Sequence, residues 1–333
     1  MAISEDPFPT KPKSTILEKY SWVPLALALV IGAVWVVTKF RSHTLQGIIF
    51  AAGVVLLLGV ELLRWSRSRS RTGQQVDDTT FIDGASSFCI ALIYGMGTAL
   101  IVVPVLYGFA EWLRSHAIFH LNDRLKEIFG GASTVVILIL LVIVVDFTYY
   151  WAHRFGHKVE LFWANHSVHH SSEHYNPTTA VRISFLDEAW DLVLVSLWAL
   201  LGFSPAALFL IYGFVMLYQL PMHVSWKGRF PKPIEYVFNT PEHHRAHHAR
   251  QKLYIDKNFS GVFILWDRLF GSYAEVEEVK PLYGLTIPVG TFRIMPIMFH
   301  ENVSMLKKMI HAKSIGTAVQ YPFRPPYWEP AEK

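Results

Sequence analysis

Nine histidines in this chain stand at spacings that could gather metal ions. His153 and His157 form an H-x3-H pair, and His166, His169 and His170 an H-x2-H-H cluster. His223 follows alone, and His244, His247 and His248 repeat the H-x2-H-H pattern. On a helix, residues three and four apart share a face, so each cluster aims two or three imidazoles at one point. Eleven of the sixteen histidines lie between His153 and His248, where an even spread would put about five. One ion takes about four to six ligands, so nine imidazoles imply two ions. Imidazole suits iron, zinc, copper or nickel, and spacing alone does not separate iron from zinc. Packed together without metal, nine neutral rings would leave many nitrogens unpaired beside a membrane, which is costly. His243 is a possible additional ligand through its own H-x3-H spacing to His247. The isolated His43, His116, His120, His300 and His311 read as ordinary core or surface residues, with His174 intermediate.

Other chemistries are excluded by what the chain lacks. A single cysteine among 333 residues rules out a disulfide framework, a zinc ribbon, a CxxC redox pair and thiolate-ligated clusters. H-E-x-x-H, a Walker loop, G-x-S-x-G and G-x-G-x-x-G are all missing, as is the soluble di-iron pattern of Glu-x-x-His pairs. The formal charge of +4 is modest and no nucleic-acid motif is present, so no nucleic-acid partner is expected.

The elements that must position these histidines are membrane helices. Charged residues make up only 17% of the chain and apolar ones 52%, too few charges to cover a soluble surface of this size. Five apolar stretches run over Trp22–Thr38, Leu45–Leu63, Ala85–Leu113, Ser133–Trp151 and Leu192–Leu220. A crossing needs about 20 residues, so the first four each span once. The fifth is broken at Gly202-Phe203-Ser204-Pro205 and reads as a hairpin of two shorter helices whose ends lie on one side. No signal peptide is evident. Arg64, Arg67, Arg69 and Arg71 mark a cytoplasmic loop by the positive-inside rule, which brings His153 and His223 out on that same face. The expected fold is therefore an all-α polytopic membrane helix bundle, with about four spans plus a short helical hairpin, under a cytoplasmic histidine-box di-metal cap. Residues 1–84 form an N-terminal tail and two-span hairpin, 85–285 the catalytic domain, and 286–333 an interfacial segment ending in a proline-rich tail of about a dozen residues.

These motifs resemble the fatty acid hydroxylase/sterol desaturase superfamily, and the likeness extends beyond histidine. Asp146-Phe147-Thr148-Tyr149-Tyr150-Trp151 leading into His153 is similar to the family's first box. So are His169-His170-Ser171-Ser172-Glu173, Thr179-Ala180-Val181-Arg182, Asn239-Thr240-Pro241, Tyr254-Ile255-Asp256-Lys257-Asn258 and Trp266-Asp267-Arg268-Leu269-Phe270-Gly271. The late box and its flanks look nearest to the alkylglycerol monooxygenase-like or bacterial sterol desaturase-like branch. Lys158, His174 and Ile183 depart from the ether-lipid pattern, which argues against carrying over ether-lipid cleavage and pterin dependence.

The resemblance implies an integral-membrane, O2-dependent oxidoreductase with two iron ions, zinc being a possible substitute. Its substrate would be a membrane lipid, with hydroxylation of a C–H bond favoured over desaturation. No haem, flavin or nicotinamide motif is present, so electrons must come from an external donor, a reductant protein or small molecule. The expected location is a multi-pass one with the site facing the cytoplasm, in a bacterial inner membrane or an endoplasmic reticulum. Asp146, Glu173, Asn176, Asp187, Glu188 and Asp267 are candidates for orienting the imidazoles from behind. Tyr149, Tyr150, Trp151, Phe155 and Trp163 are candidates for lining a lipid passage, or for anchoring at the interface. Two other classes are open: a metal transporter, which would spread ligands through the membrane depth, and a non-catalytic membrane protein with structural zinc.

Overall fold

The computed structural model describes residues 78–224, 229–275 and 281–330. The first two expected spans, the arginine run and His43 lie outside these residues. Within the described residues the chain is helical, and its only β feature is an isolated antiparallel bridge between Ala249 and Tyr283.

Helix α1 (Asp78–Gly97) continues through a π-helical segment, Thr98–Val102, into α2 (Val103–Ser115). Pro104 explains the change of winding. It has no N–H to give the carbonyl four residues back, so the ladder must adjust just before it. The continuous stretch Thr79–Ser115 covers 37 residues, roughly 55 Å at the helical rise and well beyond a bilayer core of ~30 Å. Gly97 lets the next layer in, because a Cβ there would sit 2.8 Å from Phe185 Cγ.

A short amphipathic helix, α3 (Leu121–Phe129), precedes the long α4 (Ser133–Lys158), a feature the hydropathy pattern does not reveal. Thr79–Ser115, Leu121–Lys158 and Pro205–Met222 are each long and apolar enough to cross a membrane. Leu100, Ile101, Val105, Val135 and Ile139 stand exposed on the first two of these. An exposed aliphatic band on long helices is what a lipid-facing surface requires.

The apolar hairpin is formed by α6 (Phe185–Ser196), a 3-10 turn over Leu197–Leu201, and α7 (Pro205–Gln219). Its break falls at Gly202, whose φ of +92° suits glycine and whose absent Cβ would otherwise meet Phe119 O at 2.6 Å. The first arm begins at Phe185, earlier than its hydropathy suggests, because polar Asp187, Glu188 and Asp191 are carried on the same helix. Leu141, Val145, Leu192, Val195, Leu208 and Val215 join α4, α6 and α7 in one apolar core.

Helix α5 (Glu160–His170) folds back from α4 after the extended Val159. Short helices α8 (Lys232–Val237), α9 (Pro241–His247) and α10 (Leu265–Leu269) follow the hairpin. The amphipathic stretch near the end is α11 (Ile294–Ile310), with Ile297, Met298, Glu301 and Met305 buried and Met295, Leu306 and Ile310 exposed. It packs mainly on α5. After α12 (Ile315–Ala318) the proline-rich residues do not trail away. Tyr321 is buried, the Arg324 carbonyl accepts the Glu160 N–H at 2.9 Å, and Tyr327 OH donates to Glu301. Through at least Trp328, these residues form a strap over α5 where the proline-rich composition suggests a tail.

Candidate metal centre

Four elements bring the histidines together. The last turns of α4 carry His153 and His157, and α5 carries His166, His169 and His170. His223 caps a 3-10 turn after α7, and α9 with its C-cap presents His244, His247 and His248. All nine are buried. They fall into two groups whose ligand atoms lie within 4.8 Å of one another: His153, His157, His166, His170 and His247, then His169, His223, His244 and His248. Each H-x2-H-H cluster is therefore divided between the groups rather than aimed at one point.

The nitrogen geometry shows what these groups can hold. In the first, His166 Nε2 lies 3.1 Å from His153 Nε2 and 3.2 Å from His170 Nε2. In the second, His223 Nε2 lies 3.0, 3.1 and 2.9 Å from the Nε2 atoms of His169, His248 and His244. One of these contacts, His153 with His166, is not a hydrogen bond. His153 Nδ1 donates to Phe259 O at 2.7 Å, His223 Nδ1 to Gln219 O at 2.9 Å and His247 Nδ1 to Lys257 O at 2.9 Å. A carbonyl can only accept, so in these neutral rings Nε2 is the bare lone-pair nitrogen. His166 Nδ1 is fixed in the same way by Asp187 Oδ2 at 2.9 Å. His153 and His166 thus turn two lone pairs at each other, a repulsive arrangement that a cation between them would reverse. With metal–nitrogen bonds of ~2.1 Å, two ligands at a right angle lie about 3 Å apart, which matches.

Buried nitrogens without partners point the same way. His157 Nε2, His247 Nε2 and His244 Nδ1 have no hydrogen-bond partner. Burial, then the neighbouring imidazoles, hold His169, His170, His244 and His248 well below the usual histidine range. Burial lowers His223 to about 4 and His247 to about 3. These rings stay neutral at pH 7, the state a metal needs. The donor set fits two borderline ions and no thiolate chemistry.

The other candidates separate clearly. His243 is buried but turned away from both groups, toward Thr240 Oγ1 and the Tyr273 ring. His174 meets Thr79 and Thr80 instead. Of the six supporting candidates, Asp187 alone touches an imidazole of the groups. Glu188 accepts from Tyr94 OH, Asn176 caps the turn at Pro177, and Glu173 is exposed beside Gly284. Asp146 and Asp267 hold backbone N–H groups, the Trp266 indole and serine hydroxyls, and no imidazole. Among the aromatics, Tyr149 lies 5.4 Å from the His153 ring and Trp163 5.3 Å from His157. Tyr150, Trp151 and Phe155 belong to a separate aromatic cluster, in which Tyr150 and Trp151 pack on Phe270 and Phe155 packs on Trp151.

Sequence reasoning missed several contributors. The carbonyls of Gln219, Lys257 and Phe259 leave no trace in side-chain type. Asp256 Oδ1 lies 3.7 Å from His157 Nδ1, and its other oxygen accepts from Lys158 Nζ at 2.5 Å. Its place in the stretch Tyr254–Asn258 was the available signal.

A cavity of about 310 Å³ reaches His157, His170, His247 and His248. Lys158, Arg250 and Asp256 give it charged walls, and Trp163, Leu285 and Tyr327 apolar ones. Because Lys158 ends the α4 span, this cavity lies at the polar end of the helix.

Buried all-imidazole groups at the mouth of apolar helices define a membrane-associated protein with a histidine-cluster centre. The chain matches the family model for fatty acid hydroxylase over residues 138–272, which contain all nine histidines, and this match supports the fatty acid hydroxylase/sterol desaturase superfamily. It is similar to alkylglycerol monooxygenases from Danio rerio and Homo sapiens, each 39% identical over 189 residues, covering 56% of this chain and 42% of theirs. An ornithine lipid hydroxylase, OlsE of Rhizobium tropici, is 28% identical over 131 residues, covering 39% of each chain. The chain thus spans about two fifths of the length of these curated relatives. No solved structure matches it.

Proposed function

We propose that this chain is a membrane-embedded, O2-dependent di-iron oxidoreductase that hydroxylates a C–H bond of a lipid. The observation that carries the reading is the division of nine buried imidazoles into groups of five and four, with the lone pairs of His153 and His166 turned on one another. The relatives named above for monooxygenation and lipid hydroxylation support the reaction class. His153, His157, His166, His170 and His247 would hold one iron, and His169, His223, His244 and His248 the other. Two irons supply the redox capacity to cleave O2 against an unactivated C–H bond, in the balance R–H + O2 + 2e⁻ + 2H⁺ → R–OH + H2O. An external donor provides both electrons.

The chain's own residues do the rest. Asp187 and the carbonyls of Phe259, Lys257 and Gln219 hold the Nδ1 protons, so that Nε2 faces inward on four rings. Trp163, Leu285 and Tyr327 shield the polar side and limit the water that reaches the centre. A lipid approaches from the bilayer side of α4, while protons and reductant come from the charged cavity. The arginine run at residues 64–71 supports a cytoplasmic placement of that cavity.

Iron-loaded protein, given a reductant and a panel of lipids under ¹⁸O2, tests this. One labelled oxygen gained by a lipid is expected. Loss of two hydrogens without label would move the reading to desaturation. Oxygen consumption that changes no lipid would remove the lipid substrate from it.

A further inference from the structure

The loop from Lys257 to Phe263 supplies two of the carbonyls that fix imidazoles, yet it belongs to no helix or strand. Two buried carboxylates hold it. Asp267 Oδ1 accepts from Phe259 N at 2.8 Å and Ser272 Oγ at 2.7 Å. Its Oδ2 accepts from Ser260 N at 2.8 Å and Ser260 Oγ at 2.5 Å. Asp146, on α4, takes Val262 N at 2.6 Å, Phe263 N at 3.0 Å and Trp266 Nε1 at 2.9 Å. Between the two stands Gly261, where a Cβ would come within 2.5 Å of Asp146 Oδ1. The backbone can lie this close to the carboxylate only because the residue is glycine.

We propose that Asp267, braced by Asp146, is a positioning residue for the five-imidazole group, acting through the Phe259 and Lys257 carbonyls. The inference rests on the di-metal reading above. Phe259 joins the two: its N–H goes to Asp267 and its C=O receives His153 Nδ1, so displacing one displaces the other. Two residues earlier, Lys257 O receives His247 Nδ1. Both rings belong to the five-imidazole group, with centroids 4.5 Å apart. The four-imidazole group meets the loop less directly: none of its rings leans on a loop carbonyl, and His223 is set by the Gln219 backbone carbonyl at the end of α7, while the Gln219 side chain reaches Gly261 O at 2.6 Å. Charge-assisted hydrogen bonds to a buried carboxylate are the strong kind, and five of them come from this one loop. A lesion at Asp267 therefore singles out one ion site.

The test is metal content and the Mössbauer spectrum of full-length protein loaded with ⁵⁷Fe, read for wild type, Asp267→Asn, Ser272→Ala and Trp198→Phe. An amide nitrogen cannot accept, so Asp267→Asn loses one or two of the four bonds. Bound iron should fall from about two to about one per chain, with one signal lost or broadened and the other unchanged. Ser272→Ala removes one of the four bonds to Asp267, together with the Ser272 Oγ contact to Tyr150 OH, and should release iron from that same site a few-fold faster to a chelator, which keeps the test alive if Asp267→Asn does not fold. Trp198→Phe removes a buried hydrogen bond to Thr148 Oγ1 away from the loop and controls for general loss of stability. Unchanged iron in both loop variants, or a parallel decline of both signals as in the control, overturns the positioning role alone. A wild-type chain that takes up no iron overturns the di-metal reading, and this inference with it.

Discussion

The two imidazole groups are built from the same residue type but held in different ways. In the five-membered group, two rings lean on carbonyls of one clamped loop and a third on the Asp187 carboxylate, so three of five tautomers are fixed from outside. In the four-membered group, His223 leans on a carbonyl of its own helix end, and His244 Nδ1 has no partner. The first site is thus pre-set by distant parts of the chain, and the second depends more on the ion it holds. Partners behind the ligands raise ligand basicity and fix ring orientation, so the two sites should differ in affinity and in response to mutation.

The largest effects come from removing a ligand. His157→Ala and His169→Ala, one from each group, should each lower activity by more than about 100-fold, with metal content measured on the same samples. If one variant keeps full activity, its group is not part of the reaction. Asp187→Asn comes next. The amide cannot reproduce the carboxylate's hold on His166, and a loss of about 10- to 100-fold in metal affinity at the five-membered group is expected by chelator competition. An equal loss at both sites would remove the contrast between them.

Acid should act more gradually. His223 and His247 have folded-state values of about 4 and about 3, both below the ordinary 6.5, and burial is the main cause. Above 6.5 neither folded nor unfolded rings bind protons, and stability is flat. As pH falls below 6.5 the unfolded chain protonates first, so stability of the metal-free protein declines toward pH 4. Each such ring contributes up to about 1.4 kcal/mol per pH unit in that window. Thermal melts of metal-free protein from pH 7.5 to 5 check the sign. A melting temperature that rises on acidification would contradict it. The smallest effect is predicted for His243→Ala. That ring lies outside both groups, so metal content should hold and activity stay within about 3-fold, since a distant substitution seldom costs more.

Much of this was legible from residue type and period. The i, i+3, i+4 spacing names eight of the nine rings that converge, His223 standing alone, and Gly202-Phe203-Ser204-Pro205 marks the hairpin turn. The pattern does not say how each H-x2-H-H cluster divides. His169 and His170 lie about 100° apart around α5, so either could face either site, and only the packing of α9 against them decides. The loop carbonyls were invisible because every residue carries one. Asp146 and Asp267 were picked out as carboxylates behind the imidazoles, yet they act on backbone, a distinction that side-chain chemistry alone does not make. The strap after α12 was misread because its prolines suit a free tail equally well. Its role depends on Glu160, which is far away in sequence.

That strap bears on the order in which the molecule comes together. Contacts between residues distant in the chain carry the greater loop-closure cost and form late in folding. The imidazoles come from residues 153 to 248, but Tyr327, which walls the cavity, is set in place when Arg324 meets Glu160 and its own hydroxyl meets Glu301. The histidine groups can therefore take shape while their polar side is still open to solvent. An ion would be captured by an uncovered cradle during maturation, and the cover would follow. Slow metal exchange in the finished protein would then reflect the lifetime of that late cover, and not the strength of nine nitrogen bonds.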